Sequence, residues 1–226
     1  MDNSPAFPRK RETVLGMLIA ATLGALGGAL AGWGGRVLLA RLRRGVVLRP
    51  PVLEASAALV TALGLAIGWP APIVGLLVWA GLLAVVLGAV DVAVHRLPDA
   101  LTLPAIPVTA ALVGVTWLVV PSSGRPLTGA VSAVVVTGVF AGLAVLAPRA
   151  MGRGDVKLVP SLAVMTGYLS IPALLWWLIL AFGLGALVAL IGLATRRLSM
   201  RSAIPFGPCL LAGCWLVLAL PSLFSG

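Results

Sequence analysis

The sequence predicts an all-α fold: a polytopic membrane helix bundle of about eight transmembrane helices. Three observations carry this. Hydrophobic residues make up 61% of the 226 and charged residues 10%, with a mean hydropathy of +1.14, far from the quarter-charged composition of soluble domains. Apolar runs of about 17 to 25 residues recur along the chain, each long enough to cross the hydrocarbon core as a helix. The segments between them are short, so no sizeable soluble domain remains. The net charge of +10 does not point to nucleic acid, because Lys and Arg are dispersed over short loops without aromatic interleaving or an extended basic face. They read as topology signals, and the lipid bilayer as the surrounding partner.

Arg9, Lys10 and Arg11 precede an apolar run as in a signal peptide. Residues 14–33, however, outrun an h-region of roughly 7 to 15 residues, and no cleavage site follows, so this is read as a retained first span. Its glycines and alanines suit close helix packing. Arg36, Arg41, Arg43, Arg44 and Arg49 come next, ahead of Pro50-Pro51, and place this loop in the cytoplasm. A second span, 53–69, turns at Trp69-Pro70-Ala71-Pro72, and a third, 73–90, stops at Asp91. A polar hairpin, 91–104, leads into a fourth span that ends near Val120. A fifth covers 127–147, and Pro148-Arg149 brings the chain to the segment Met151-Gly152-Arg153-Gly154-Asp155-Val156-Lys157-Leu158. The sixth span is 156–168, Ile171-Pro172 turns the chain, the seventh is 173–194, and the eighth is 204–220. Twelve of the sixteen Lys and Arg fall in the loops this threading makes cytoplasmic, which supports both termini lying outside. Two parts are expected: an N-terminal helix with its basic loop, 1–52, and a membrane-embedded core, 53–226.

Only six residues are acidic. Asp91 and Asp155 end odd-numbered spans on the same face, and a carboxylate at a membrane edge is expensive enough to be read first as functional. Two carboxylates held close cannot both ionise easily; they share a proton, and the ionised member can activate water while the protonated one polarises a carbonyl. That chemistry needs two acids, one water and no metal, and its protons belong to the pair. Gly152 and Gly154 would give the backbone around Arg153 unusual dihedrals and a close approach to a substrate chain. Pro98 and Pro104 would limit a continuous helix around Asp99. The blander readings are a helix cap for Asp155 and for Asp99, the latter with Thr102 behind it, and a span-ending polar residue for Asp91. Lys157 would pair with Asp155 or Asp99, or snorkel to the interface. His95 and Arg96 read as solvated loop residues. Cys209 and Cys214 read as small core residues, since positions five apart on a helix diverge and no CxxC or nearby His offers a zinc site. The seven tryptophans read mostly as bilayer anchors.

At these residues a family resemblance becomes specific. Gly152 to Leu158 resembles the GxGDxKL signature of the prepilin peptidases (type IV leader peptidases), which are GxGD membrane aspartic proteases. Asp91 followed by Leu97-Pro98-Asp99-Ala100-Leu101-Thr102-Leu103-Pro104 is similar to the family's Asp and LPDxLTLP element, and Ile204-Pro205-Phe206-Gly207-Pro208 to its IPFGP element. The resemblance covers about 53–226. It implies Asp91 and Asp155 as the catalytic pair. Gly152, Gly154, Lys157, Pro98, Asp99, Pro205 and Gly207 are then substrate-binding or motif residues, with Asp99 structural or substrate-orienting. The implied reaction removes the short basic leader from a pilin-like precursor, after a glycine just before the substrate's hydrophobic helix, at the cytoplasmic face of the plasma (inner) membrane. Type IV pilus assembly and protein secretion are the processes it would serve. Longer family members carry two CxxC pairs in their first cytoplasmic loop and also N-methylate the new amino terminus. The corresponding loop here, 36–52, has no cysteine, so zinc is not expected, no cofactor is implied, and S-adenosylmethionine-dependent methylation is called into question. Two alternatives stand beside this reading. A small proton-coupled transporter would also use intramembrane acids, although no internal repeat is evident. A catalytically silent membrane subunit of a pilus or secretion assembly would not need an intact pair of aspartates.

Overall fold

The structure, a computed structural model, describes residues 10–41, 51–94, 97–146, 152–196 and 206–224. Its helices in chain order are α1 (Lys10–Arg41), α2 (Val52–Gly68), α3 (Val74–Val94), α4 (Asp99–Val119), α5 (Pro126–Leu146), α6 (Arg153–Leu169), α7 (Ile171–Ala194), α8 (Gly207–Ala219) and the short α9 (Pro221–Phe224). A 3-10 turn at Pro121–Ser123 joins α4 to α5. Among the described residues there is no strand, and α1 to α8 follow the eight expected spans in order. The protein is an all-α polytopic bundle.

The helices are not equivalent as membrane spans. Segments of α1, α3, α4, α5 and α7 are long and apolar enough to cross, whereas α2 and α8 are shorter apolar helices. The 13 residues of α8 rise only about 20 Å, against a hydrocarbon thickness of about 30 Å. The 17-residue α6 is a different case: ten of its residues are buried, because α4, α5, α7 and α8 all pack against it. Leu158, Val159, Leu162, Met165 and Tyr168 of α6 are fully buried and share one core with Leu76, Trp177, Leu210 and Leu211. Protein, rather than lipid, surrounds this helix, so its polar Asp155, Ser161 and Thr166 can be accommodated.

Some boundaries differ from expectation. α1 continues as helix to Arg41, eight residues beyond the expected end at Trp33. Arginine is a good helix former, and Arg36 makes an ion pair from α1 to Glu54 of α2, Nε to Oε1 2.6 Å. Arg43, Arg44 and Arg49 lie outside the described residues. α3 does not stop at Asp91 but runs one further turn to Val94. α4 starts at Asp99 and contains both Pro104 and Pro107, so Pro104 does not end the helix as expected. The carbonyls that lose a partner to these prolines belong to Ala100 and Leu103, both exposed residues.

Glycine sets the closest helix contacts. A Cβ on Gly28 of α1 would lie 2.5 Å from the Ala57 carbonyl oxygen and 2.6 Å from Thr61 Oγ1, both on α2. α7 and α8 run antiparallel, with Gly213 against the backbone of Trp177 and Ala181 and Gly185 against the Phe206 ring. Trp177 is fully buried and donates from Nε1 to the Leu210 carbonyl at 2.9 Å, so this tryptophan is a core tie and not a bilayer anchor. Trp79 Nε1 donates to Thr109 Oγ1 at 2.8 Å, joining α3 to α4. Cys209 and Cys214 are buried free thiols.

Candidate active site

The two acids come from opposite ends of their helices. Asp91 sits in the last turn of α3 and Asp155 in the first turn of α6; they are 5% and 7% exposed. The first residue of α8, Gly207, sets the scale of the site. A Cβ placed there would lie 2.8 Å from Asp91 Oδ2 and 3.4 Å from Asp155 Oδ1. The two oxygens are therefore separated by at most the total of those distances, about 6 Å. The same point is 3.3 Å from Leu97 Cδ1, and a Cβ on Gly154 would fall 2.8 Å from Leu97 Cβ. Leu97 thus links the three sequence motifs: it precedes Pro98-Asp99, and it lies against Gly154 of α6 and Gly207 of α8. In the sequence it is a motif residue without an evident role, because an apolar side chain gives no sign that it spaces two helices.

The expectation that Gly152 and Gly154 supply unusual dihedrals does not hold. Gly152 has φ −71° and ψ 135°, ordinary extended backbone, and no described glycine lies in the left-handed region. What the missing Cβ atoms provide is space. Gly154 admits Leu97, and a Cβ on Gly152 would lie 2.9 Å from Asp155 Oδ2. Gly152 is the N-cap of α6, and the Asp155 carboxylate, three residues on, turns back toward it. This is the reach-back geometry of a helix start, so the capping reading of Asp155 is met in part, with its other oxygen left toward Asp91 and Gly207.

Asp155 lies just ahead of the apolar run that begins at Val156. Burial, and then the negative charge of Asp91, push its carboxyl up to about 7, while the Gly152 backbone pulls the other way. A buried acid beside a second acid holds its proton more tightly because the charged form is poorly solvated and repelled.

Asp99 is not part of this pair. Its carboxylate is exposed and forms an ion pair with Lys157, Nζ to Oδ1 2.6 Å, which settles the partner of Lys157. Nor does Asp99 cap α4: Pro98 is the N-cap, there is no side-chain cap, and Asp99 is the first helical residue. Thr102 Oγ1 donates to the Pro98 carbonyl at 3.3 Å. Pro205, with Met151, His95 and Arg96, lies outside the described residues. Among the described residues no three His, Cys, Asp or Glu side chains gather as a metal-holding group.

Two buried carboxylates meeting where α3, α6 and α8 converge define a multi-pass membrane protein with a di-acid site. Residues 80–190 match the family model of the type IV leader peptidase family, the family whose motifs the sequence resembles. The matched segment contains Asp91, Leu97 to Asp99 and Gly152 to Asp155, and it ends within α7. No match was found among the curated proteins or the solved structures.

Proposed function

We propose that the chain is an aspartic endopeptidase that removes the basic leader from type IV pilin-like precursors, with Asp91 and Asp155 as the catalytic pair and the cut made at the cytoplasmic face of the plasma membrane. The observation that carries this is the convergence of the two buried carboxylates on Gly207. At that separation a water can lie between them. One acid, ionised, takes a proton from the water as it attacks the scissile carbonyl; the other, protonated, donates to the carbonyl oxygen. The proton is shared by the pair, so neither residue is assigned a fixed role. This chemistry draws on no cofactor, and zinc and S-adenosylmethionine have no part in it. A precursor with its helix in the bilayer and its basic leader in the cytosol presents the junction between them to such a site. Co-expression with a pilin-like precursor, with leader removal followed by mass, tests the reading. Asp91→Asn and Asp155→Asn are expected to insert into the membrane and to lose cleavage. Cleavage by either variant removes that residue from the pair.

A further inference from the structure

Cutting a basic leader poses an electrostatic problem for a chain with 16 Lys and Arg, 6 acids and a net charge of +10. A carboxylate near the scissile bond would offset the repulsion between the leader's cations and this chain. Asp91 and Asp155 are buried in the pair. Glu54 is bound by Arg36 between α1 and α2. Asp2 and Glu12 precede the first span, on the side assigned to the outside. Asp99 remains, with 60% of its side chain exposed. It follows Leu97 by two residues, a reach of at most about 7 Å, and the Leu97 side chain already lies against the glycines beside the acid pair.

We propose that Asp99 is the docking acid for a Lys or Arg of the substrate leader, and that Lys157 holds this place when the site is empty. The inference rests on the leader-peptidase reading above. Lys157 follows Asp155 by two residues, its Nζ lies 2.6 Å from Asp99 Oδ1, and it is 38% exposed. An exposed ion pair of this kind contributes little, so a substrate cation can replace Lys157 at little cost. The exchange requires the two partners of one ion pair to have opposite effects on substrate binding. A purely structural bridge requires them to act alike.

The experiment uses the full chain in phosphatidylcholine nanodiscs, which add no net lipid charge. Two labelled precursor peptides, identical except that the leader's Lys and Arg are replaced by Gln in one, are titrated against it, and cleavage is read separately. The basic peptide is expected to bind about two- to fivefold more tightly at low salt, and this preference should fade as salt is raised. Asp99→Asn should erase the preference, and Lys157→Met should widen it. The inference is overturned if the wild type has no preference, if Asp99→Asn retains it, or if Lys157→Met narrows it. Binding with the expected preference but without cleavage would leave the docking acid standing and refute the peptidase reading instead.

Discussion

Substituting Gly207 by alanine tests the geometry of the acid pair directly. The added Cβ would lie 2.8 Å from Asp91 Oδ2, where non-bonded heavy atoms are comfortable at about 3.5 Å, so one of the two must retreat by roughly 0.7 Å. Asp91 is 5% exposed, and the same Cβ is blocked by Leu97 Cδ1 at 3.3 Å and Asp155 Oδ1 at 3.4 Å. The displacement therefore falls on the carboxylates or on the water between them. A 1 Å misplacement of reacting groups costs on the order of 100-fold, so a loss in kcat of about tenfold or more is expected for Gly207→Ala, with KM little changed. The assay is initial-rate leader removal from a purified precursor in detergent or nanodiscs, with membrane insertion and thermal stability measured in parallel. Gly183→Ala is the control, because a Cβ there meets nothing within 4 Å. A Gly207→Ala protein that is folded, inserted and cleaves at the wild-type rate would refute the argument that Gly207 reserves the space between the acids.

The raised Asp155 carboxyl makes a pH prediction. Its value of about 7 compares with about 3.9 for an unfolded aspartate, so the folded state holds this proton more tightly. The corresponding stability is complete below about pH 4 and is lost as pH rises to about 7. Thermal unfolding should thus occur at higher temperature at pH 5 than at pH 8, and Asp155→Asn should flatten the difference. Cleavage should fall on the alkaline side with a midpoint within about a unit of pH 7, as the protonated member of the pair is lost. In the other half of the protein, Gly28→Leu would place its side chain against the Ala57 carbonyl and Thr61 Oγ1. A loss of about 1 to 3 kcal/mol is expected from such overpacking, read as a lower midpoint in a detergent thermal-unfolding assay.

Helix number and order were legible because each apolar run declares itself through composition, and the pairing of Asp91 with Asp155 because both follow crossings that end on one face. Helix ends were less legible. Hydropathy marks where a chain can meet lipid, whereas the helix follows backbone hydrogen bonding, which carries α1 through Arg36 and α3 through Asp91. Gly152 and Gly154 were recognisable as necessary, but the reason was not: Gly152 leaves room for the Asp155 carboxylate that turns back on it, and Gly154 for Leu97, a neighbour more than fifty positions away in sequence. Lys157 had two candidate partners two and fifty-eight positions away, and only the packing of α4 against α6 chooses Asp99. Trp177 looked like its lipid-facing counterparts because the sequence does not reveal which face of α7 receives α8.

The unequal lengths of α7 and α8 bear on how water and substrate meet. Gly185 packs on Phe206, just before Gly207, and α7 continues nine residues beyond it to Ala194, about 13 Å. Those residues are apolar and mostly exposed, a surface suited to hydrocarbon beyond the level of the acids. On α3 and α6 the helices instead end and begin close to the acids themselves. In the proposed enzyme, hydrolysis would then take place in a one-sided dip in the membrane profile, with the short α8 favouring local thinning of the bilayer. Lipid thickness would then become a reactant condition: a thicker bilayer would deepen the dip, lengthen the path for water, and ask more of the substrate helix to unwind before its peptide bond is exposed.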